Sequence, residues 1–173
     1  MKNKVLRVVE LFILIWPTIM LYSLLTDTTD ENSYLIKYIL ITYFVYYTFN
    51  VLVYRLFWFK NYFLSPLNFI IKKRSIEIKY DLSKDIIFEK YLEIIQGTDF
   101  EVIYKNEEKG ELFLCTATNL LVWKQNIYLK LIENDGETMV NIDCATINQV
   151  VSWGANKQRT DDLIQRMEEA FII

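Results

Sequence analysis

Histidine is missing from all 173 residues of this chain. That removes the side chain most used as a general acid or base near neutral pH, and the commonest metal ligand. Cysteine is almost missing: Cys115 and Cys144 are the only two, too few for a zinc cluster and too sparse for a disulfide framework. Both sit among apolar residues in predicted strands, where a free thiol behaves as a small hydrophobe. A single disulfide between them is the alternative. Glycine numbers four, with none before Gly97, and the first alanine is Ala117. The apolar N-terminal run therefore lacks the small residues of a signal-cleavage site and reads as retained. Glycine-rich phosphate loops and HExxH-type metal motifs are absent as well. The residues point to no metal and no cofactor.

Charge is partitioned along the chain. Residues 1–74 carry nine Lys/Arg against four Asp/Glu, and residues 75–173 carry ten against eighteen. A net of +5 joined to a net of −8 gives the overall −3. Phosphate binding needs a basic footprint, so the acidic half argues against nucleic acid as a partner. The same acidity is repelled by anionic headgroups and holds that half off a lipid surface.

What the chain does have is long apolar runs. Tyr38 to Phe59 is charge-free until Arg55, and its twenty-two residues reach about 33 Å as a helix, close to a bilayer's hydrocarbon thickness. This predicts a membrane span over 38–59. Residues 5–25 predict a first span, with Arg7 and Glu10 paired near the interface and Pro17 kinking the helix. The polar loop Thr26–Ser33 contains no Lys or Arg, whereas Lys2, Lys4, Arg7, Lys60 and the run Lys72-Lys73-Arg74 flank the spans on the other side. The positive-inside rule then places both termini in the cytoplasm. Tyr46 and Asn50 lie one turn apart near mid-depth and predict a helix-packing face, towards the first span or a second protomer. Residues 60–71 are too interrupted to span again. They read either as an interfacial segment with Trp58 near the headgroups, or as a hydrophobic platform for the domain that follows.

That domain begins near Ser75. Ile76, Ile78 and Tyr80 alternate with charged residues, as a half-buried strand does. Asp81 or Ser83 can cap a helix over 84–96, whose stripe Ile87, Phe88, Tyr91, Leu92, Ile94 and Ile95 faces a core, and Gly97 stops it. Strands follow near 100–104, 111–117, 120–123 and 127–132, and Asn134-Asp135-Gly136 reads as a hairpin turn into 138–145. A last helix over 156–171 shows Leu163, Ile164, Met167, Ala170 and Phe171 on one face. The fold class is α+β: a two-helix transmembrane hairpin over 1–74, then a curved antiparallel sheet with two helices packed on it over 75–173.

Near the C-terminus the chain reads NIDCATINQVVSWGANKQRTDDLI, with Gly154, Asn156, Lys157 and Arg159 spaced as Gly-x-Asn-basic-x-Arg. This segment resembles an uncharacterised bacterial and plastid family, the domain of unknown function numbered fourteen-ninety-nine. The resemblance covers the soluble domain and is specific only around Gly154–Arg159. Ala145-Thr146-Ile147-Asn148 stands where that family carries a Ser-x-Ser-Arg run. The resemblance implies a fold and no settled activity, and it points to a bacterial inner membrane. In physical terms, Gly154 can take positive φ, Asn156 can cap the last helix, and Lys157 and Arg159 beside its first N–H groups can hold an anion. Trp153, Asn156, Lys157 and Arg159 thus form the candidate ligand edge. A plain helix start, its dipole complemented by Asp161 and Asp162, is the competing reading.

These features favour a membrane-anchored, non-enzymatic binding or adaptor module, with the bilayer and a protein partner or second copy as associates. A small-molecule or lipid sensor, or a membrane enzyme, is the alternative; Cys115 and Cys144 would then be its nucleophiles, with no histidine to activate them. A transporter or channel accessory subunit would need more spans or oligomerisation, and intramembrane charge that the spans mostly lack.

Overall fold

Asp135 and Gly136 both take left-handed backbone, with φ of 53° and 88°. A two-residue turn of that kind matches the twist of the strands it joins. Here it connects β4 (Gln125–Asn134) to β5 (Glu137–Thr146) and sets Asn134 opposite Glu137. Side chains alternate along a strand, so Ile127, Leu129 and Leu131 share one face with Val140, Ile142 and Cys144. The computed structural model describes residues 32–68, 71–116, 124–147 and 154–171. Around this hairpin it builds a five-stranded antiparallel sheet with β1 (Lys72–Tyr80), β2 (Phe100–Asn106) and β3 (Glu111–Thr116), in the order β1-β5-β4-β3-β2. The first strand pairs with the last, from Lys72 opposite Thr146 to Tyr80 opposite Thr138.

Two helices close one face. They are a twelve-residue helix at Lys84–Ile95 and a seventeen-residue helix at Ala155–Phe171. Ile87, Phe88, Tyr91 and Ile95 meet Leu163 and Met167 over Leu112, Leu114, Ile127, Leu129 and Ile142. Each fully buried aliphatic side chain there contributes about 1.5–3 kcal/mol. The α+β architecture and the apolar stripes follow the periodicity. Gly97 takes φ of 85°, as a helix stop requires. Ser83 makes no capping hydrogen bond, and the Lys84 N–H instead faces Glu133 Oε2 at 3.4 Å. Cys144 belongs to this core and Cys115 to the opposite face, so both thiols are free and no disulfide joins them.

The chain divides into two compact units, residues 1–52 and 53–173. In the first lies most of a twenty-two-residue helix, Asn32–Val53, which starts earlier and stops sooner than the span expected at 38–59. Among the described residues no helix is both long and apolar enough to cross a membrane. The expected first span at 5–25 lies outside the described residues, as do the strand residues 120–123 and Trp153.

In the second unit, residues 54–68, together with Ile71, form a strap on the sheet's other face. Leu56 is extended (φ −91°, ψ 110°), a 3-10 turn follows at Phe57–Phe59, and a short helix runs over Lys60–Leu64. Tyr54, Phe63 and Ile71 are buried against Phe113, Cys115, Tyr128 and Ala145. Of the described apolar side chains in 60–71, Tyr62, Phe63, Leu64 and Ile71 pack on the sheet and Leu67 does not. The basic run Lys72-Lys73-Arg74 opens β1: Lys73 Nζ donates to the carbonyls of Ser65 and Asn68, and Arg74 turns to the C-terminal helix. Burial lowers the Lys73 pKa.

Candidate functional site

The strap covers only part of its face. Phe57 stacks on Tyr104 with ring centroids 4.3 Å apart, and Phe113 stacks on Tyr128 at 4.7 Å. Asn126 sits fully buried beneath them. Its Nδ2 donates to the Tyr54 carbonyl at 2.8 Å and to the Tyr128 hydroxyl at 2.9 Å, while its Oδ1 faces Cys115 Sγ at 3.0 Å. Arg55 fastens the rim through Glu101 at 2.7 Å and the Tyr54 hydroxyl at 2.7 Å. Burial pushes the Tyr128 phenol above its ordinary range, so it stays a neutral hydrogen-bonding group.

Beside the covered area the same face opens into a polar groove of about 360 Å³, lined by Lys60, Ser75, Ile76, Glu77, Lys130, Asn141 and Asp143. The pairing explains who meets there. Ser75 lies opposite Asp143 and Glu77 opposite Asn141, while Lys130 lies opposite Asn141 from the other side. All therefore point away from the helices. Ser75 Oγ donates to Asp143 Oδ1 at 2.7 Å, and Lys60 Nζ stands 3.7 Å from Asp143 Oδ2. Lys60 also lies over the Tyr128 ring, 5.6 Å from its centroid. Lys130 Nζ pairs with Glu111 at 3.0 Å and with the Lys109 carbonyl at 2.7 Å. The flanking cations are thus each matched by a carboxylate. Among the described residues the central Glu77 and Asn141 side chains hold no such bond. Chemically the groove offers two ammonium donors, carboxylate acceptors and an amide within one small concavity. Ser75 already gives its proton to a carboxylate and has no adjacent base that would make it a nucleophile.

Of the residues expected to form a ligand edge, Asn156, Lys157 and Arg159 are engaged within the fold. Asn156 is not the helix cap; its side chain is 3 % exposed and points into the sheet. Its Oδ1 accepts from Gln125 Nε2 at 2.9 Å and from the Thr146 hydroxyl, with Cys144 Sγ at 3.5 Å, while its Nδ2 donates to the Lys72 carbonyl at 2.8 Å. One amide thereby ties the last helix to β1, β4 and β5. Lys157 pairs with Asp161 at 2.8 Å, and Arg74 reaches the same carboxylate at 2.8 Å. Hydrogen bonds from Lys157 and Arg74 hold Asp161 below the usual carboxylate range. Arg159 clamps Asp99 through both guanidinium nitrogens, at 2.7 and 2.6 Å. Lys157 and Arg159 thus turn to different carboxylates and do not converge. Gly154 does take φ of 80° at the helix start. On the N-terminal helix, Asn50 is fully buried and its Nδ2 bonds back to the Tyr46 carbonyl at 2.7 Å. Cys144, the better buried thiol, is pushed up to about 12 by desolvation and stays protonated at neutral pH.

Sequence reasoning missed every groove residue. The turn at Asp135-Gly136 was a signal that could have aligned Lys130 with Asn141 and Tyr128 with Asp143. Nothing local could have aligned Glu77 with Asn141.

No protein-family model and no curated protein matches this chain. Solved structures match in general arrangement. Ara h 8.0201 aligns at a TM-score of 0.44 with 10% identity, covering 57% of this chain and 96% of that one. CalU16 from Micromonospora echinospora aligns at 0.39 with 12% identity, over 58% and 83%. The Zhui aromatase/cyclase from Streptomyces sp. R1128 aligns at 0.37 with 9% identity, over 58% and 88%. Likenesses of this strength leave the function to this chain's own residues.

Proposed function

We propose that this chain is a membrane-held, non-enzymatic binding module whose α+β domain takes a small polar ligand in the groove between the strap and β1. The observation that carries the reading is the pair Glu77 and Asn141, open in a concavity whose other charged groups are already matched. Its volume lies within the range of ligand pockets, roughly 300–1,000 Å³. An acidic centre flanked by Lys60 and Lys130 suits a molecule bearing both a cationic and an anionic group. The membrane part of the proposal rests on the charge pattern around residues 1–37, which supports attachment at the cytoplasmic face with both termini inside. Membership of the uncharacterised family rests on Gly154, Asn156, Lys157 and Arg159 alone.

The test is thermal unfolding of the full chain in mild detergent against a panel of zwitterionic metabolites, beside the double variant Glu77→Lys/Asn141→Arg. A ligand present at 100 times its Kd stabilises by about 2.7 kcal/mol. At least one compound is expected to raise the Tm of the wild type and leave the variant unmoved. Equal shifts in both proteins, or none in either, would remove the groove as the binding site.

A further inference from the structure

Within the strap, the apolar side chains of Tyr54, Leu56, Phe57, Phe59, Phe63 and Leu64 are buried or half-buried on the sheet. Two are not. Trp58 is 71 % exposed and Leu67 85 % exposed, the highest values among the large hydrophobics in the described residues. Both are held there by local structure. Trp58 is the middle residue of the 3-10 turn, between two phenylalanines that pack inward. Leu67 sits in a turn that Ser65, Asn68 and Lys73 brace: Ser65 Oγ accepts from the Leu67 N–H at 3.3 Å, and Lys73 Nζ donates to the Asn68 carbonyl at 2.7 Å. Neither is a floppy end.

We infer that Trp58 and Leu67 seat the α+β domain on the membrane, entering the interfacial zone of the bilayer beneath the strap. The inference rests on the membrane-held reading above and names which surface of the domain meets the lipid. Three observations commit the occupant to lipid. Trp58 follows the end of the Asn32–Val53 helix by only five residues, so the chain leaves any bilayer held by residues 1–53 close to this point. From Asn32 to Ile76 there is not one Asp or Glu, in a chain that carries twenty-two, so nothing on this stretch repels headgroups. An indole with a polar N–H and an apolar body is also the side chain best suited to the headgroup boundary.

The seat is apolar and not electrostatic. The strap's Arg55 and Lys60 are matched by Glu101 and Asp143, and Arg74 just beyond it by Asp161. The carboxylates of Glu101 and Asp143 are thereby drawn into internal pairs with the strap, while Glu77 on the same face of the sheet stays open in the groove. Contact should form on phosphatidylcholine alone and survive high salt, unlike polybasic attachment, which decays within a Debye length.

The experiment uses the full chain mixed with phosphatidylcholine vesicles carrying a nitroxide on the shallow part of the acyl chain. Flotation in high salt comes first; a chain that stays at the bottom overturns the membrane-held reading itself, and this inference with it. For protein that floats, tryptophan quenching is compared between wild type and Trp58→Phe. The expected result is a quenched component present in the wild type and lost in Trp58→Phe, unchanged by salt. Flotation with equal quenching in both proteins overturns this inference alone. So does a Trp58 shielded from aqueous iodide but untouched by the lipid nitroxide, which would mean a second copy or another protein covers it. Quenching that appears only with phosphatidylglycerol and fades in salt overturns the apolar seat. Leu67→Ser is expected to weaken the quenching of Trp58 while leaving flotation intact, and no change in that quenching would remove Leu67 from the seat.

Discussion

Asn156 does at the scale of one residue what several contacts do elsewhere. Its side chain is 3 % exposed; its Oδ1 accepts from the buried Gln125 amide, and its Nδ2 donates to the part-buried Lys72 carbonyl. Leaving a buried donor or acceptor unmade costs about 1–3 kcal/mol, more than a typical hydrogen bond contributes. Asn156→Ala strands the Lys72 carbonyl and the Gln125 amide together. The expected loss is about 2–4 kcal/mol, read as a lower urea midpoint at unchanged slope for the full chain in mild detergent. A loss below about 0.5 kcal/mol, the range of ordinary surface changes, would contradict the clamp. Lys157→Ala one position on removes only an exposed pair with Asp161 and should fall inside that surface range, as exposed ion pairs do. The contrast matters because both residues belong to the same Gly-x-Asn-basic-x-Arg spacing. In this fold that spacing marks how a helix is fastened to a sheet, and the conformational freedom of Gly154 lets the chain enter it.

At the scale of elements, the turn between β2 and β3 shows how tightly the sheet is built. Gly110 takes φ of 62°, and its carbonyl accepts the Leu131 N–H at 2.8 Å, linking the turn to β4. A Cβ at this position would come within 2.5 Å of the Leu131 carbonyl oxygen, which is backbone and cannot swing away. Gly110→Ala is expected to cost about 2–3 kcal/mol, more than the roughly 1 kcal/mol of an unhindered left-handed position. Gly136→Ala, where nothing stands nearby, supplies that comparison in the same unfolding assay. If the two cost the same, the close approach to Leu131 carries no weight. Elements whose order depends on local chemistry were legible in the sequence. The stripe of Ile87, Phe88 and Tyr91 gave a helix, and Asn134-Asp135-Gly136 gave a hairpin. What was not legible depends on partners distant along the chain. Tyr54, Phe57 and Phe63 look the same in sequence whether lipid or a sheet covers them. Only the facing rings of Tyr104, Phe113 and Tyr128 decide it. Asn156 likewise has the residue type and position of a cap, and only Thr146 and Gln125 reveal that it is a clamp.

At the scale of the molecule, the uneven charge becomes a division of labour. One sheet face is closed by two amphipathic helices, and the other is shared between an aromatic strap and a groove that stays open. Three basic residues of the chain's first half pair with carboxylates of its second, Arg55 with Glu101, Lys60 with Asp143 and Arg74 with Asp161. The first two help to fix where the strap ends and so where the groove begins. Lys60 belongs to both, which couples the covering of the face to the site beside it. The central claim is that this groove is occupied in the protein's working state. Native mass spectrometry of the full chain, gently extracted from its own membrane, tests it most directly when wild type and Glu77→Lys/Asn141→Arg are compared. The account predicts a small polar molecule retained by the wild type and absent from the double variant. Bare protein in both cases, or the same retained mass in both, would contradict it.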